Sequence, residues 1–411
     1  MHDYNLHKNI ALITLHTPTR ENVRGASALP YHLAKHRPEN IDLNIYTFNQ
    51  NGLDNNAISE ISENLNVSVK VIKPIFKTKF LRFCCRFIPG FRGILSYPLF
   101  HYYFLSKESV AEIKQWADNI WIYGEELAPI ANEFPQLQCV VTTPDCEAMY
   151  YKRVFSMPSK LTSFGKILRY GRAYWQYLNV VKCFPTENVI YHLVGEADAR
   201  FLSAINPNAK VVFLPHPHYE GNINRPIKFG SERIRLLLPG RYDIYSKDAV
   251  DEAINALVKH SEISHFYDIT FQGKNWSEPA SKLRDAGFKV FIKGFVQDYK
   301  EELCKYDIQL SPISLGSGTK GKVLDAFING LLVIAPMRAI ENIQVQDKED
   351  FFFYTNENEL INILLDVPKN IVTAESIANN GRNAVIEKHN PQLISNLLFQ
   401  FFEAKKCTFI S

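Results

Sequence analysis

The chain has 411 residues, more than one hydrophobic core usually supports, so we expect two domains. Hydrophobic residues make up 46% of the sequence and charged residues 22%, which is typical of a globular protein and excludes a disordered one. A net charge of +3 is too small to indicate nucleic-acid binding by itself.

The termini and the cysteines favour a protein of the reducing cytosol. Residues 1–9 are polar and charged, and no run of eighteen apolar residues occurs, so we expect neither a secretory signal nor a transmembrane helix. The seven cysteines show no Cys-x-x-Cys pair and no zinc-finger spacing, although Cys84 and Cys85 are adjacent. This pattern favours packed, reduced thiols over disulfides.

The first half of the chain alternates short apolar runs with segments of helical character. The apolar runs predict seven strands, at 9–16, 41–48, 67–75, 119–123, 139–143, 189–194 and 210–214. Strands that alternate with helices favour a parallel, doubly wound sheet. In such a sheet, ligands bind beyond the carboxyl ends of the strands.

Acidic residues follow two of these predicted strands. Asp145 comes after the fifth strand, where a carboxylate can orient a hydroxyl group or act as a base. It can equally cap the helix that begins near Cys146. Glu125 and Glu126 hold a similar position after the fourth strand.

Segments 73–107 and 150–183 are rich in basic and aromatic residues and contain no acidic residue. A cationic, apolar surface suits contact with an anionic membrane. The alternative is that the phenylalanines belong to the core and the charges form a solvated face. RNA binding requires similar residues, but no recognised nucleic-acid motif occurs.

The second half of the chain repeats the alternation after a linker at 215–230, which is rich in Pro, Gly, Asn and His. Apolar runs predict strands at 234–239, 267–271, 288–292, 308–311 and 331–335. We therefore expect a first domain over 1–222, a second over 223–388 and a C-terminal helix within 389–411. That helix has an apolar stripe formed by Leu393, Ile394, Leu397, Leu398 and Phe401.

Residues 314–336 form the most informative run of the sequence, a small-residue loop followed by a helix, a stop at Gly330 and a buried strand. Bare backbone at a helix entrance favours an anion, and four small residues provide it here: Gly316, Ser317, Gly318 and Thr319. Lys320 and Lys322 add positive charge, which suits a phosphate-rich ligand. Asp325 lies three residues further along the helix, where a carboxylate can accept a hydrogen bond from a sugar hydroxyl.

This run, Gly-Ser-Gly-Thr-Lys-Gly-Lys-Val-Leu-Asp-Ala closed by Asn-Gly-Leu-Leu-Val-Ile-Ala, resembles the donor-site signature of the family 4 (group 1) glycosyltransferases. The resemblance implies an α/β fold of GT-B architecture, with two Rossmann-like, doubly wound parallel-sheet domains that face each other across a cleft. It also implies that the loop faces the donor diphosphate and that Asp325 holds the ribose, where glutamate is usual. The C-terminal helix is then expected to cross back to the first domain.

The stretch 236–247 resembles the strand and Gly-Arg turn of the same family, with a lysine a few residues later. There the arginine and the lysine hold the donor pyrophosphate and neutralise the charge that grows on the leaving group. The resemblance therefore assigns Arg241 and Lys247 as catalytic cations. A solvated lysine at a helix start is the alternative for Lys247.

The resemblance assigns the acceptor to the first domain, where Gly25 opens the first helix after the first strand and allows a ligand to approach the backbone closely. His216 lies near the linker and can contact donor or acceptor. With His218 it forms a pair with no evident third ligand, so we expect no metal and leave plain linker histidines as the alternative. Many family members carry glutamate eight residues before the ribose-binding acid, but this sequence has Ser317, so the usual marker of sugar identity is missing.

The sequence thus predicts a hexosyltransferase-like, retaining glycosyltransferase without cofactor or metal. Its expected partners are a nucleotide-sugar donor, a glycan or lipid-linked acceptor and an anionic membrane surface, with no nucleic acid. We expect it in the cytoplasm, peripheral to the inner face of the membrane, in the assembly of bacterial lipopolysaccharide or capsule. The alternatives are a non-catalytic GT-B binding protein, a CMP-sugar transferase of the sialic acid or Kdo type, and a sugar-nucleotide epimerase.

Overall fold

The computed structural model describes residues 7–23, 26–230, 232–296 and 298–403. The chain divides into two compact units. The first joins the residues up to Pro217 to the segment that starts at Pro391, and the second is His218–Asn390. The boundary along the chain lies at Pro217, ahead of the expected position 222, since the N–H of Asn222 already donates to Oδ1 of Asn329 in the second unit (3.0 Å).

The first unit is built on a seven-stranded sheet. Its strands are β1 (Lys8–Thr14), β2 (Ile41–Thr47), β3 (Ser68–Val71), β4 (Asn119–Tyr123), β5 (Gln138–Thr143), β6 (Val189–Leu193) and β7 (Lys210–Phe213). All neighbouring strands pair in parallel, in the order β3-β2-β1-β4-β5-β6-β7. The winding reverses between β1 and β4, so the carboxyl ends of these two strands form a topological switch point, where α/β sheets bind ligands.

Helices flank this sheet. They are α1 (Ala28–Lys35), α2 (Asn55–Leu65), α3 (Phe76–Phe87), α4 (Phe91–Ile94), α5 (Lys107–Trp116), α6 (Glu147–Phe155), α7 (Phe164–Lys182) and α8 (Glu196–Ile205), with short 3-10 turns at Leu99–Tyr102, Glu125–Glu133 and Pro158–Lys160. Strands β4 and β6 are buried at every position and β1 and β5 along most of their length, as parallel strands covered on both faces are.

The second unit has a six-stranded sheet of the same kind. Its strands are β8 (Ile234–Arg241), β9 (Tyr267–Lys274), β10 (Lys289–Lys293), β11 (Ile308–Leu310), β12 (Leu332–Ala335) and β13 (Phe352–Phe353). They pair in parallel in the order β10-β9-β8-β11-β12-β13, which places the switch point between β8 and β11. The helices are α9 (Lys247–Lys259), α10 (Ser277–Asp285), α11 (Tyr299–Leu303), α12 (Gly321–Ile328), α13 (Met337–Ile340), α14 (Glu357–Asp366) and α15 (Ile371–Lys388), with 3-10 turns at Ser261–His265 and Val367–Lys369.

The last helix, α16 (Pro391–Gln400), belongs to the first unit. It packs against α1, where the Ser395 hydroxyl donates to the Leu33 carbonyl (2.7 Å). Its buried face differs slightly from the predicted stripe: Leu393 is half exposed, whereas Phe399 is buried edge-on against Trp121. The packing against α1, rather than hydrophobicity alone, selects the buried face.

The predicted α/β class with parallel sheets is confirmed in both units. All the strands predicted from apolar runs are present, and most of their ends lie within two residues of the expected positions. The run 67–75 is shorter, since β3 ends at Val71 before Pro74, which lacks the N–H that a ladder needs. The two-residue strand β13 was not predicted because it is too short to produce a pattern. The six cysteines in the described part of the chain are free thiols.

Helix α3 carries an exposed apolar stripe. Its members follow the i, i+4, i+7, i+11 spacing of one helix face and are 52–80% exposed: Phe76, Phe80, Phe83 and Phe87. Four exposed cations lie beside them: Lys77, Lys79, Arg82 and Arg86. We call these eight side chains the basic aromatic face. The interpretation in which these phenylalanines belong to the core is therefore wrong.

The opposite side of α3 attaches it to the unit. Cys84 is buried, and the buried Thr78 hydroxyl donates to the Tyr102 carbonyl (2.8 Å). Helix α7, within the other basic segment, also exposes large apolar side chains, namely Phe164, Ile167, Leu168 and Trp175. Among the described helices, none combines the length and the apolar character that crossing a bilayer requires.

Candidate functional site

Two loops converge at the switch point of the second unit. One begins at the carboxyl end of β8, whose last residues are Gly240 and Arg241, and the other follows β11 and leads into α12. The N–H of Leu315 in the second loop donates to the carbonyl of Tyr245 in the first (3.3 Å), which joins them. The exposed Arg241 guanidinium makes no hydrogen bond or ion pair with any described residue, so its charge is available to a ligand.

Residues on and after β9 fix the position of the turn at Gly240 and Arg241, which we call the β8 turn. The indole N–H of Trp276 donates to the Gly240 carbonyl (3.0 Å), and Gly273 on β9 lies directly against that carbonyl. A Cβ on Gly273 would be only 1.8 Å from the Gly240 oxygen, and the φ of +128° at Gly273 is one that side-chain-bearing residues rarely adopt. Glycine at 273 is therefore required for the turn that presents Arg241.

We expect Gly273→Ala to lower the free energy of unfolding by more than about 3 kcal/mol, because backbone strain of about 1–2 kcal/mol adds to overpacking. Gly287→Ala is the matched control, since Gly287 also has a positive φ (+89°) but nothing within 4 Å of its Cβ position. Urea unfolding of both variants measures the difference. Equal losses would contradict the role of Gly273 in supporting the turn.

The small-residue loop is stabilised by its own lysine. The Lys320 ammonium donates to the carbonyls of Ser317 (2.5 Å) and Gly318 (3.1 Å) and lies 2.9 Å from the place that a Cβ on Gly316 would take. Nδ2 of Asn342 also donates to the Gly318 carbonyl (3.1 Å). In this structure Lys320 therefore fixes the loop instead of projecting from it. Thr319 follows Gly318 in the same loop, ahead of the entrance to α12.

Lys322, in the first turn of α12, lies beside the β8 turn. Its Nζ is 3.7 Å from the position of a Cβ on Gly240, and it makes no hydrogen bond or ion pair with any described residue. The side chain remains accessible, but desolvation by surrounding protein atoms lowers its pKa, an effect that Asp325 and Asp243 oppose. Lys322 and Arg241 thus place two unpaired cations at one turn.

Asp325 is half-buried, one turn along α12 from Lys322. Besides desolvation, the dominant cause, its charge raises the pKa values of the half-buried Tyr219 and Tyr299, which shows that both lie near it. The Tyr299 hydroxyl has no hydrogen-bond partner among the described residues. The carboxylate therefore lies in a polar recess with hydrogen-bonding capacity for a hydroxyl-bearing ligand.

The Lys247 ammonium is bound by two neighbouring side chains, one in the preceding loop and one on its own helix. It donates to the Tyr242 hydroxyl, lies 4.5 Å from the centre of that ring and pairs with Asp251 (3.2 Å). The hydrogen bond to Tyr242 raises the pKa of Lys247, and Asp251 raises it further. Lys247 therefore supports the turn, while Lys322 provides the second unpaired cation.

The structure gives less information on His216 and Gly25, two further candidates from the sequence. His216 is buried, and its Nδ1 is 2.7 Å from the Pro217 carbonyl. Nδ1 of His218 is likewise 2.8 Å from the carbonyl of the residue that follows it. Gly25 lies outside the described residues.

A cavity of about 230 Å³ lies at the switch point of the first unit, at the carboxyl ends of β1, β4 and β5. The described residues that line it are Leu15, His16, Ala26, Phe100, His101, Tyr123, Gly124, Glu125, Glu126, Pro144, Asp145, Glu147 and Tyr177. Asp145 and the pair Glu125 and Glu126 thus lie together, as their positions after neighbouring strands predict. Helix α6 begins just after Asp145, and the N–H of its N-cap residue Cys146 donates to Asp198 (2.9 Å).

Sequence reasoning did not find His101 or Glu147 as members of this group. No motif links them to the strand ends, since His101 comes from a short 3-10 turn and Glu147 from the first turn of α6. The turn packs against the 3-10 segment Glu125–Glu133, and this contact between distant parts of the chain brings the imidazole to the carboxylates.

No protein-family model matches the chain, and no curated protein sequence matches it. Among solved structures, HepE from Anabaena in complex with UDP superposes with a TM-score of 0.64 at 13% identity, covering 96% of this chain and 99% of HepE. A glycosyltransferase from Rickettsia africae gives 0.62 at 13% identity, covering 97% and 98%. Sucrose-phosphate synthase from Thermosynechococcus elongatus gives 0.60 at 13% identity, covering 96% and 98%. At this identity the similarity shows the fold, which is that of the GT-B glycosyltransferases.

Proposed function

We propose that the protein is a glycosyltransferase of the family 4 (group 1) type that transfers a sugar from a nucleoside diphosphate sugar to an acceptor. The observation that carries the proposal is the pair of unpaired cations, Arg241 and Lys322, beside the small-residue loop at the switch point of the second unit. The similarity to HepE, whose solved structures contain UDP and UDP-glucose, supports the same class of donor.

The two cations hold the donor pyrophosphate in this proposal. Negative charge grows on the nucleoside diphosphate as the bond to the sugar breaks, and fixed cations stabilise that charge with little reorganisation. A bound phosphate also favours the charged form of Lys322, which desolvation by the surrounding protein disfavours. Since these side chains supply the positive charge, we propose transfer without a metal cofactor.

Asp325 holds the ribose hydroxyls. A hydrogen bond to a charged group contributes about 1.5–3 kcal/mol, so we expect Asp325→Ala to weaken UDP binding by about 10-fold to 100-fold. Asp325→Glu is the control, because it keeps the carboxylate and is expected to bind within a few fold of the parent. Isothermal titration measures both variants. Unchanged affinity of Asp325→Ala would place the ribose elsewhere.

The basic aromatic face supports an acceptor held at a membrane. An exposed apolar stripe flanked by cations matches a helix that lies in the interface of an anionic bilayer. We therefore propose a lipid-linked glycan acceptor, a peripheral position on the cytoplasmic leaflet and a role in the assembly of bacterial surface polysaccharide. Retaining transfer of a hexosyl group completes the proposal and follows the expectation from the donor-site signature.

A donor assay tests this function. Purified protein is incubated with a panel of glycosides and, in turn, with UDP-, GDP-, ADP- and dTDP-hexoses and a CMP-sugar, and the released nucleotide is measured together with the anomeric configuration of the product. We expect release with one nucleotide class and a product of retained configuration. Release of CMP from a CMP-sugar alone would replace the proposal by the sialic acid or Kdo type of transfer.

A further inference from the structure

The cavity of the first unit concentrates carboxyl groups. Glu125, Glu126, Asp145 and Glu147 all line its volume of about 230 Å³, and none of the described lining residues is lysine or arginine. Like charges at such short range are unfavourable unless protons or a cation compensate them. The composition of the lining therefore points to a positively charged ligand.

The backbone is shaped to hold one of these carboxylates. A Cβ on Gly124 would lie 2.5 Å from the Glu126 carboxylate, so the missing side chain makes room for it. Glu125 is only 6% exposed, and its Oε1 has no hydrogen-bond partner among the described residues. A buried carboxylate oxygen without a donor is costly and indicates a ligand position.

His101 gives an independent indication. It is 7% exposed, lines the cavity, and its Nδ1 has no hydrogen-bond partner in the described part of the chain. Burial lowers the pKa of His101 to about 3, so the imidazole is neutral and does not balance the carboxylates. Burial lowers the pKa of His16, the other lining imidazole, in the same direction.

Burial shifts the pKa values of three of these carboxyl groups upward. It raises the pKa values of Glu126 and Glu147 to about 7 and that of Glu125 well above its usual range, and neighbouring carboxylates add to the effect at Glu125 and Glu147. Five further titratable groups surround them: Tyr123, Asp145, Cys146, Tyr177 and Asp198. With pKa values of about 7 at Glu126 and Glu147, protons compete with a bound cation near neutral pH.

We propose that this cavity binds the ammonium group of an amine-bearing sugar. The inference rests on the proposed function and on the expectation from the family resemblance that the first domain takes the acceptor, and it adds the chemical class of that acceptor. The volume falls below the 300–1,000 Å³ of sites for drug-sized ligands, which suits a single sugar ring of a larger molecule. The carboxylates accept from the ammonium, while Tyr177 and Phe100 provide aromatic faces that attract a cation.

Binding of three probes at pH 7.5 tests the proposal: glucosamine, N-acetylglucosamine and glucose, with the intact protein, by isothermal titration. We expect glucosamine to bind at least tenfold more tightly than the two neutral sugars. Glu126→Gln should remove this preference, whereas Glu133→Gln, an exposed change in the same 3-10 segment, should keep it. Equal binding of all three sugars, or tighter binding of Mg²⁺ or Ca²⁺ in competition with glucosamine, would overturn the proposal.

The pH dependence provides a second test that does not rely on a variant. From pH 7.5 to 5.5 carboxyls with a pKa of about 7 become neutral, and this loss outweighs the fuller protonation of the sugar amine, so glucosamine binding should weaken by about tenfold. Binding that is unchanged or stronger at pH 5.5 contradicts the inference. If UDP binds and no amine does, this inference alone fails; if glucosamine binds and no nucleotide does, the proposed donor function fails.

Discussion

Replacing Lys322 or Arg241 by alanine is expected to lower kcat/KM for sugar transfer by about 10²–10³-fold. The reason is that each substitution removes a cation from the place where the leaving diphosphate gains charge, and loss of one such group typically costs about 2.7–4 kcal/mol of transition-state stabilisation. Neither side chain makes a hydrogen bond or ion pair with a described residue, so the free energy of unfolding should change by no more than about 0.5 kcal/mol.

Lys247→Ala tests which lysine acts as the second catalytic cation: Lys322, as the structure indicates, or Lys247, as the family resemblance implies. Since its ammonium is engaged by Tyr242 and Asp251, we expect only about a tenfold loss of activity, together with a measurable loss of stability. Lys259→Ala, on the exposed surface of the same helix, is the control with parent activity. Full activity of Lys322→Ala combined with an inactive Lys247→Ala would show that Lys247 leaves its partners and takes the role assigned to Lys322.

Charge reversal on α3 is the second large effect. Changing Lys77, Lys79, Arg82 and Arg86 to glutamate should release the protein from vesicles that contain anionic lipid. Each basic residue near an anionic leaflet contributes about 1 kcal/mol, so the loss of four corresponds to about 10³-fold in affinity. Sedimentation with vesicles of phosphatidylglycerol and phosphatidylcholine measures the change.

A control variant carries the same change of charge on the second unit. Lys228, Lys259, Lys348 and Lys369 are all exposed there, and their exchange for glutamate should leave vesicle binding close to that of the parent. Binding of the parent should also fall as salt is raised, since the Debye length shortens to about 3 Å at 1 M. Equal sedimentation of the α3 variant and the parent would exclude this helix as the membrane surface.

The sequence predicts the sheets well because their central strands contain buried, apolar runs. Runs such as Ile10–Ile13 and Leu332–Ala335 are continuously apolar and bounded by polar or glycine-containing segments, so their positions follow from composition alone. The loops at the strand ends of the second unit are marked similarly, since Gly240 and the loop at 316–319 consist of small residues. Here local pattern and tertiary structure agree.

Other parts of the site depend on strand order, which the sequence does not encode locally. Lys322 lies beside Gly240 only because β11 pairs with β8. The family resemblance implies that Lys247 contacts the ligand, but its ammonium instead donates a hydrogen bond to Tyr242, five residues earlier in the chain. Helical spacing alone does not show whether Phe76 is exposed or buried, since an apolar stripe in the core and one at a membrane interface have the same period. The deciding contact is made by a strand pairing for Lys322, by a side chain of the preceding loop for Lys247 and by solvent for Phe76.

Thermal unfolding in the presence of UDP, GDP, ADP, dTDP and CMP, without added metal, tests the central claim most directly. A nucleotide at one hundred times its dissociation constant stabilises the folded state by about 2.7 kcal/mol. We predict a shift with one nucleoside diphosphate, and its loss in Lys322→Ala and Asp325→Ala. The absence of a shift with every nucleotide would contradict the account and favour a non-catalytic protein with the same fold.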